Sequence, residues 1–174
     1  MANETIIIRI CEITDLGKLE ETIPSPGIST FHKYRFERQT EGKSLYLIAW
    51  SGSKPVGHLY IIWDGHCWLN NKAAAQYANG CPELNALSVI PEFQNQGIGT
   101  CLIATAEEII KAKGLKSAGI CVGIKNLRAK RLYERLGYVD WGQGSLEDSY
   151  TLQIDENTQI TESEQVTMLI KEFT

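Results

Sequence analysis

Gln94-Asn95-Gln96-Gly97-Ile98-Gly99-Thr100 places two glycines where an extended apolar run, Leu84 to Ile90, meets an amphipathic helix pattern, Ile98 to Lys113. A strand, a tight loop and a helix start in that order form a phosphate cradle. Glycines let the backbone turn sharply and approach an anion. The free N–H groups of the first helical turn then point at it, and the helix dipole adds to the attraction. Spacing excludes two familiar phosphate loops. A nucleotide-hydrolysing loop ends in Gly-Lys-Ser/Thr, whereas Gly99 is followed by Thr100 and Cys101. A dinucleotide fingerprint needs a further glycine three residues on, where Leu102 stands. The remaining pattern, Gln-x-x-Gly-x-Gly, is by itself also compatible with a plain strand-to-helix turn.

A second constellation follows. The segment from Asn126 to Tyr138 reads as one short helix, with Asn126 as N-cap and Gly137 as the stop. Asn126, Ala129 and Tyr133 lie at i, i+3 and i+7 and share a face, while Leu132 and Leu136 form an adjoining stripe suited to a sheet. An amide, a small residue and a phenol make a poor core face and a plausible ligand face. Together the two segments resemble the GCN5-related N-acetyltransferase (GNAT) family. Gln94, Gly97 and Gly99 match its acyl-CoA pyrophosphate loop. Asn126-x-x-Ala129-x-x-x-Tyr133-x-x-x-Gly137-Tyr138 matches its second motif, in the same order along the chain. The resemblance is firm from Glu83 to Tyr138 and looser elsewhere.

The resemblance implies acetyl-CoA as acyl donor, no metal, and direct attack of a primary amine, carried by a small molecule or a peptide, on the thioester carbonyl. It implies two parallel strands that part, with backbone groups of Leu87, Ser88 and Val89 bonding the pantetheine arm. Gln94, Asn95, Gln96, Gly97, Ile98, Gly99 and Thr100 would form the pyrophosphate loop. Asn126 and Ala129 would meet the arm, and Tyr133 would give a proton to the departing sulfur. The attacking amine must be neutral, so a base is needed. Glu83, fourteen residues before Gly97, is the candidate. Asn85 lies on its side of the strand, with His58 and His66 as substitutes. A non-catalytic acyl-CoA sensor on the same fold is the alternative function, and the intact Tyr133 and Glu83 argue against it.

The chain has 174 residues, 43% apolar and 22% charged, the make-up of an ordinary globular protein long enough for a real core. A net charge of −4 disfavours a general nucleic-acid surface. Basic residues nevertheless cluster at Arg128, Lys130, Arg131 and Arg135, either as a solvated helix face or as neutralisation for phosphates. No apolar run reaches membrane-spanning length, and Met1-Ala2-Asn3-Glu4 has no signal-like character. No membrane partner and a cytoplasmic location are expected. Cys11, Cys67, Cys81, Cys101 and Cys121 form no Cys-x-x-Cys pair, and the odd count suits a reducing compartment. Cys101 and Cys121 fall in apolar patterns and read as core fillers.

The elements follow from pattern. Ile6 to Ile10 is a strand and Thr14 to Glu20 a short helix, broken by Pro24-Ser25-Pro26-Gly27. Phe31 to Gln39 forms a second helix with Phe31, Tyr34, Arg35 and Arg38 on one side. Ser44 to Ser51 and Val56 to Trp63 make a hairpin, and Asp64 to Pro82 has no readable pattern. The strand at Glu83 to Ile90, the helix, a strand at Ala118 to Val122 and the Asn126 helix come next. Strands at Tyr138 to Trp141, Ser149 to Ile154 and Val166 to Phe173 close the chain, with a turn at Asp155-Glu156-Asn157. This order predicts a single α+β domain, residues 1–174, with a mostly antiparallel central sheet flanked by helices. One parallel pair is joined through a helical crossover, and the order matches the GNAT fold. The acceptor is expected to meet residues 24–39, the insert 64–82 and the C-terminal hairpin. Phe31, Tyr34, Trp63, Trp68, Tyr77 and Trp141 there line a pocket or fill the core. Exchange of C-terminal strands would give a homodimer.

Overall fold

The computed structural model describes residues 5–174, so the N-terminal stretch examined for a signal lies outside the described residues. The elements run β1 (Ile6–Ile10), α1 (Leu16–Thr22), α2 (Phe31–Thr40), β2 (Ser44–Ser51), β3 (Lys54–Ile62), α3 (Lys72–Ala78), β4 (Glu83–Val89) and α4 (Ile98–Ala112). They continue with β5 (Ser117–Gly123), α5 (Leu127–Arg135), β6 (Val139–Asp140), β7 (Leu146–Gln153) and β8 (Gln159–Glu172). One eight-stranded sheet has the order β1-β2-β3-β4-β5-β8-β6, with β7 paired to β8 off that path. Every pairing is antiparallel except β4 with β5. This is the mixed, mostly antiparallel sheet with one parallel pair that the order of elements predicts.

The central strands are apolar on both faces because both faces are covered. Toward α4, Leu47, Ala49, Leu59, Ile61 and Leu84 pack with Ile98, Leu102, Ile103, Ala106 and Ile110. Toward α1 and α2, Tyr46, Ile48, Trp50 and Tyr60 pack with Leu19 and Phe36. A third cluster under α3 joins Trp68, Ala74, Ala78, Trp141, Val166 and Met168. Trp68, Trp141 and Trp63 therefore serve packing, and Tyr77 stacks edge-on against Trp141 with ring centres 6.0 Å apart.

The parallel pair is short. Glu83 faces Gly119 and Leu84 faces Ile120, and the pairing stops there. On the other side of β4 the register with β3 shifts between His58 and Tyr60. Ala86 takes a left-handed conformation, φ 52°, within this bulge. For a residue with a Cβ that conformation costs about 1–2 kcal/mol, so the surroundings must enforce it. From residue 85 onward β4 leans away from β5.

Several expectations need correction. The insert holds a real helix, α3, which Asn71 caps by accepting the Ala74 N–H at 3.0 Å and which ends on left-handed Asn79. On α2 the buried residue is His32, while Tyr34 points to solvent. Cys121 is no simple core filler, since it forms a disulfide with Cys67, Cα–Cα 6.6 Å, across 54 residues. Cys101 is exposed on α4 rather than buried. β8 runs fourteen residues and so begins well before Val166. The β7–β8 turn does fall between Ile154 and Thr158, whose N–H and C=O meet at 2.9 Å. The α1–α2 connection docks on this hairpin. Gln153 accepts the Ile28 N–H at 2.9 Å and donates its own N–H to Ser29 Oγ at 3.0 Å.

The entry to α1 is pinned by Asp15, which is buried and accepts two bonds from the Arg9 guanidinium, at 2.7 and 2.8 Å, and one from the Glu12 N–H at 2.8 Å. The bond to Arg9 holds this carboxyl below the usual range. A depressed folded pKa gives stability that is present above the unfolded pKa and lost as pH falls through the folded one. Asp15→Asn is expected to cost about 2 kcal/mol near neutral pH, and the difference from wild type should shrink in acid below the ordinary aspartate pKa. Urea melts at both pH values measure this.

Candidate functional site

The loop after β4 is built as its residues demand. Ile90 leads into a single 3-10 turn, Pro91–Phe93, and Gly97 caps α4 at φ 82°, ψ 0°. Only glycine takes that conformation cheaply. Gly99 has no unusual backbone; its role is space. A Cβ there would meet nothing but Leu87 Cδ2 at 3.9 Å, so it would project into the open cleft. Gln94 folds back and donates from Nε2 to the Val89 carbonyl at 2.9 Å. Gln96 turns away to the Glu92 carbonyl at 3.1 Å.

A cleft of about 780 Å³ lies between this loop, the parting edge of β4 and α5. Leu87, Ser88, Val89, Gln94, Asn95, Gly97, Ile98, Gly99, Thr100, Asn126, Ala129 and Tyr133 all line it. Gln96 and Glu83 do not. Asn126 accepts the Ala129 N–H at 3.1 Å, so its carbonyl oxygen is committed to the cap and its NH₂ is left for a ligand. Leu132 and Leu136 pack into the core cluster beneath α4. This stripe turns Ala129 and Tyr133 toward the cleft.

Tyr133 is 7% exposed, and its ring meets that of Tyr138 edge-on at 6.4 Å. Its hydroxyl makes no hydrogen bond among the described residues, whereas Tyr138 donates to Glu107 Oε1 at 2.9 Å. Burial pushes the Tyr133 phenol up to about 12, so it keeps its proton at working pH.

The basic cluster divides in two. Arg128, Arg131 and Arg135 sit on the cleft, with the Arg128 guanidinium donating to Asn95 Oδ1 at 2.6 Å across its mouth. Lys130 faces away and pairs with Asp140 at 2.9 Å. The i, i+3, i+7 spacing of the three arginines was the signal for this split. Phe93 also lines the cleft, although no sequence pattern marks it.

Glu83 lies apart from this cleft, fully buried at the fork of β4 and β5. Its Oε2 accepts from the His66 and Cys67 N–H groups at 2.6 and 2.9 Å, and its Oε1 accepts from Asn85 Nδ2 at 2.9 Å. Burial raises this carboxyl above its usual range, while the three donors oppose the rise. Asn85 is therefore its partner, as their shared side of the strand implies. The His66 ring is exposed and 3.8 Å from Asp148. His58 is buried between β3 and α2, and burial depresses it to about 3. Among the described residues no cluster of His, Cys, Asp and Glu could hold a metal ion, and no helix is long and apolar enough to cross a membrane.

Residues 13–138 match the model of the acetyltransferase (GNAT) family. An uncharacterized N-acetyltransferase of Methanocaldococcus jannaschii is 31% identical over 108 residues, which is 62% of this chain and 43% of that protein. The chain spans less than half the length of the curated relatives it matches. Among solved structures, an N-acetyltransferase from Staphylococcus aureus superposes with TM-score 0.68 at 14% identity, covering 98% of this chain and 99% of the other. The PaiA N-acetyltransferase of Thermoplasma acidophilum, solved with coenzyme A, gives 0.64 at 19% identity, covering 97% and 99%.

The two roles open to Glu83, holding the fork and taking a proton, separate by substitution. Glu83→Gln can keep the acceptor for His66 and Cys67, with the Asn85 amide flipped, and should unfold within about 1 kcal/mol of wild type. Glu83→Leu leaves three donors unpaired and should lose about 3 kcal/mol or more. Denaturant midpoints of both variants decide the point, and equal losses would remove the hydrogen-bond account.

Proposed function

The chain belongs to the acetyltransferase (GNAT) family, and on that footing we propose that it transfers an acetyl group from acetyl-CoA to a primary amine by direct attack. The carrying observation is the alignment within one cleft of a glycine-built helix N-terminus, an unpaired strand edge and a buried phenol with a free hydroxyl. The residues fit such a donor. The first turn of α4 offers N–H groups to a pyrophosphate, and Arg128, Arg131 and Arg135 supply positive charge beside it. Residues 85–89 of β4 have no β5 partner, so the strand can bond the amides of a pantetheine arm. Gln94 already takes the Val89 carbonyl, leaving the Leu87 peptide groups as the main partners.

Acetyl-CoA supplies the thioester carbonyl and the leaving thiolate. Tyr133 holds its proton at the Oη until negative charge develops on sulfur, then donates it, because the phenol has no competing acceptor. Glu83, raised by burial, is the proton acceptor for the amine. It works through water, since its carboxylate is shut off from solvent. The acceptor amine approaches from the side that carries Asn85 and the docked α1–α2 connection, on a small molecule or a peptide.

Calorimetric titration with acetyl-CoA, followed by thiol release in an amine screen, tests this reading. Micromolar binding with amine-dependent thiol release is the expected result. Binding without release from any amine would favour the non-catalytic sensor. No binding would overturn the cleft assignment. Gly99→Val should abolish binding by filling the cradle. Tyr133→Phe should lower kcat by roughly 10²-fold or more while leaving acetyl-CoA affinity unchanged. An undiminished rate would remove Tyr133 as the acid.

A further inference from the structure

α2 carries a positive charge that the proposed chemistry does not use. The Arg35 guanidinium lies over the rings of Phe31, Tyr46 and Tyr60, its Cζ 5.7, 5.6 and 5.9 Å from their centres. Among the described residues it forms no ion pair, and its one hydrogen bond, from Nη1 to Tyr46 Oη, is long at 3.5 Å. Arg9 and Lys33, by contrast, pair with Asp15 and Glu37. The charge of Glu20 reaches Tyr46 and His32, but its carboxylate is taken by the Ser25 N–H and hydroxyl at 2.9 and 2.8 Å. A half-buried guanidinium has a planar fork of five donors. Here most of that capacity is unspent.

Its place in the sheet gives the capacity a direction. Tyr46 on β2 stands opposite Tyr60 on β3, and Tyr60 stands opposite Asn85 on β4. Residues directly opposite in paired strands project from the same face. The three side chains thus form a row, with Arg35 over its first two members and Asn85 at its end. Asn85 donates to Glu83 Oε1 at 2.9 Å. Strand spacing and rise put the guanidinium and the proposed proton acceptor on one face, on the order of 10 Å apart. Arg35, Asn85 and Ala86 are all half-exposed, and Ala86 packs against the same aromatic cluster. A molecule arriving at β4 from this side therefore meets the guanidinium as well. His32 and His58, whose rings meet at 5.5 Å beside Tyr46, are both depressed, by burial first and by Arg35 in addition. They stay neutral, and the charge of this patch is that of Arg35.

We propose that Arg35 is an acceptor-specificity residue, whose guanidinium takes the carboxylate of a free amino acid while Glu83 meets its amine through water. This rests on the acetyl-transfer reading above and names the acceptor class for it. A bidentate guanidinium–carboxylate pair at one end and a water at the other use most of the span. What is left suits an amine and a carboxylate a few bonds apart. A polyamine of the same reach would set a second cation against Arg35 and be rejected. In the transfer the amine nitrogen bonds the acetyl carbon and the carbon–sulfur bond breaks. Tyr133 protonates the sulfur, and water passes the amine proton to Glu83.

The test is thiol release from acetyl-CoA with matched acceptors: the common amino acids, their carboxamides and their decarboxylated amines. At least one amino acid is expected to exceed its own carboxamide and amine roughly tenfold or more in kcat/KM. Arg35→Gln should cut that ratio to about threefold or less, chiefly through KM for the amino acid. Arg35→Lys, cationic but without the fork, should fall between, and it stands in for Arg35→Gln if that variant does not fold. A general packing defect would lower all three acceptors together and leave the ratio intact. Calorimetric binding of the N-acetyl amino acids, the products, needs no turnover and should weaken roughly tenfold or more in Arg35→Gln. Equal rates for amino acid and carboxamide would overturn the proposal and leave acetyl transfer standing. So would a ratio that survives Arg35→Gln, or turnover confined to peptides or to amines without a carboxylate. If acetyl-CoA does not bind, or no amine releases thiol, the transfer reading fails, and the N-acetyl amino acids alone judge Arg35. No binding of them, or binding indifferent to Arg35→Gln, then overturns its role.

Discussion

Beyond Leu84 and Ile120, β4 and β5 no longer pair. Peptide N–H and C=O groups inside a fold are nearly always satisfied, and an unpaired stretch in the middle of a sheet is a standing cost. The molecule keeps that stretch short and supports it from all sides. Gln94 returns to cover one carbonyl, α4 packs on the apolar side chains of Leu87 and Val89, and β5 is held along its other edge by β8 over its whole length, Ser117 to Gly123. What is left open is a strip of main chain beside a helix N-terminus. Backbone cannot be tuned by substitution, so what this strip offers an extended polar ligand belongs to the topology, and side chains add only charge around it.

Charge is distributed accordingly. The total of −4 is a sum over unlike regions. Residues 144–165, the β7–β8 hairpin and its approach, contain Glu147, Asp148, Asp155, Glu156, Glu162 and Glu164 and no lysine or arginine. The lip of the cleft is the reverse, with Arg128, Arg131 and Arg135 on one face of α5. A phosphate-bearing ligand approaching this protein therefore meets a local field opposite in sign to the net charge. Composition alone could not show this, whereas the spacing of the arginines could.

The legible parts of the chain share a property: local pattern and tertiary role coincide. The α4 stripe, the Asn126 cap, the glycines of the loop and the buried β2 and β3 runs each state in sequence what they do in space. The illegible parts are those where a distant partner decides. Cys67 and Cys121 carry no motif, because 54 residues separate them and only the closing of α3 over β5 brings them together. The front half of β8, Gln159–Gln165, is polar and exposed, and it is a strand because β7 pairs with it. His32 and His58 look like ordinary residues of a helix and a strand until Tyr46 joins them. The α3 helix went unread although Asn71 caps it and Asn79-Gly80 ends it. Its Lys-Ala-Ala-Ala-Gln-Tyr-Ala run carries too little apolar contrast to announce a face.

Cys67 shows how the fork is made rigid. Its N–H donates to Glu83 on β4, and its sulfur bonds Cys121, the residue on β5 after the last paired position. One residue of the insert thus ties both strands at the point where they separate, while the bulge at Ala86 spreads them a short distance on. Glu83 is central to this arrangement for a reason that precedes any catalysis. A buried carboxylate is tolerated only when donors surround it, and the donors here are the backbone of the insert itself. The same enclosure that lets the carboxylate hold the insert also raises its affinity for a proton. A group placed to hold the fork thereby acquires the property a base requires, so structural and chemical demands on Glu83 point the same way.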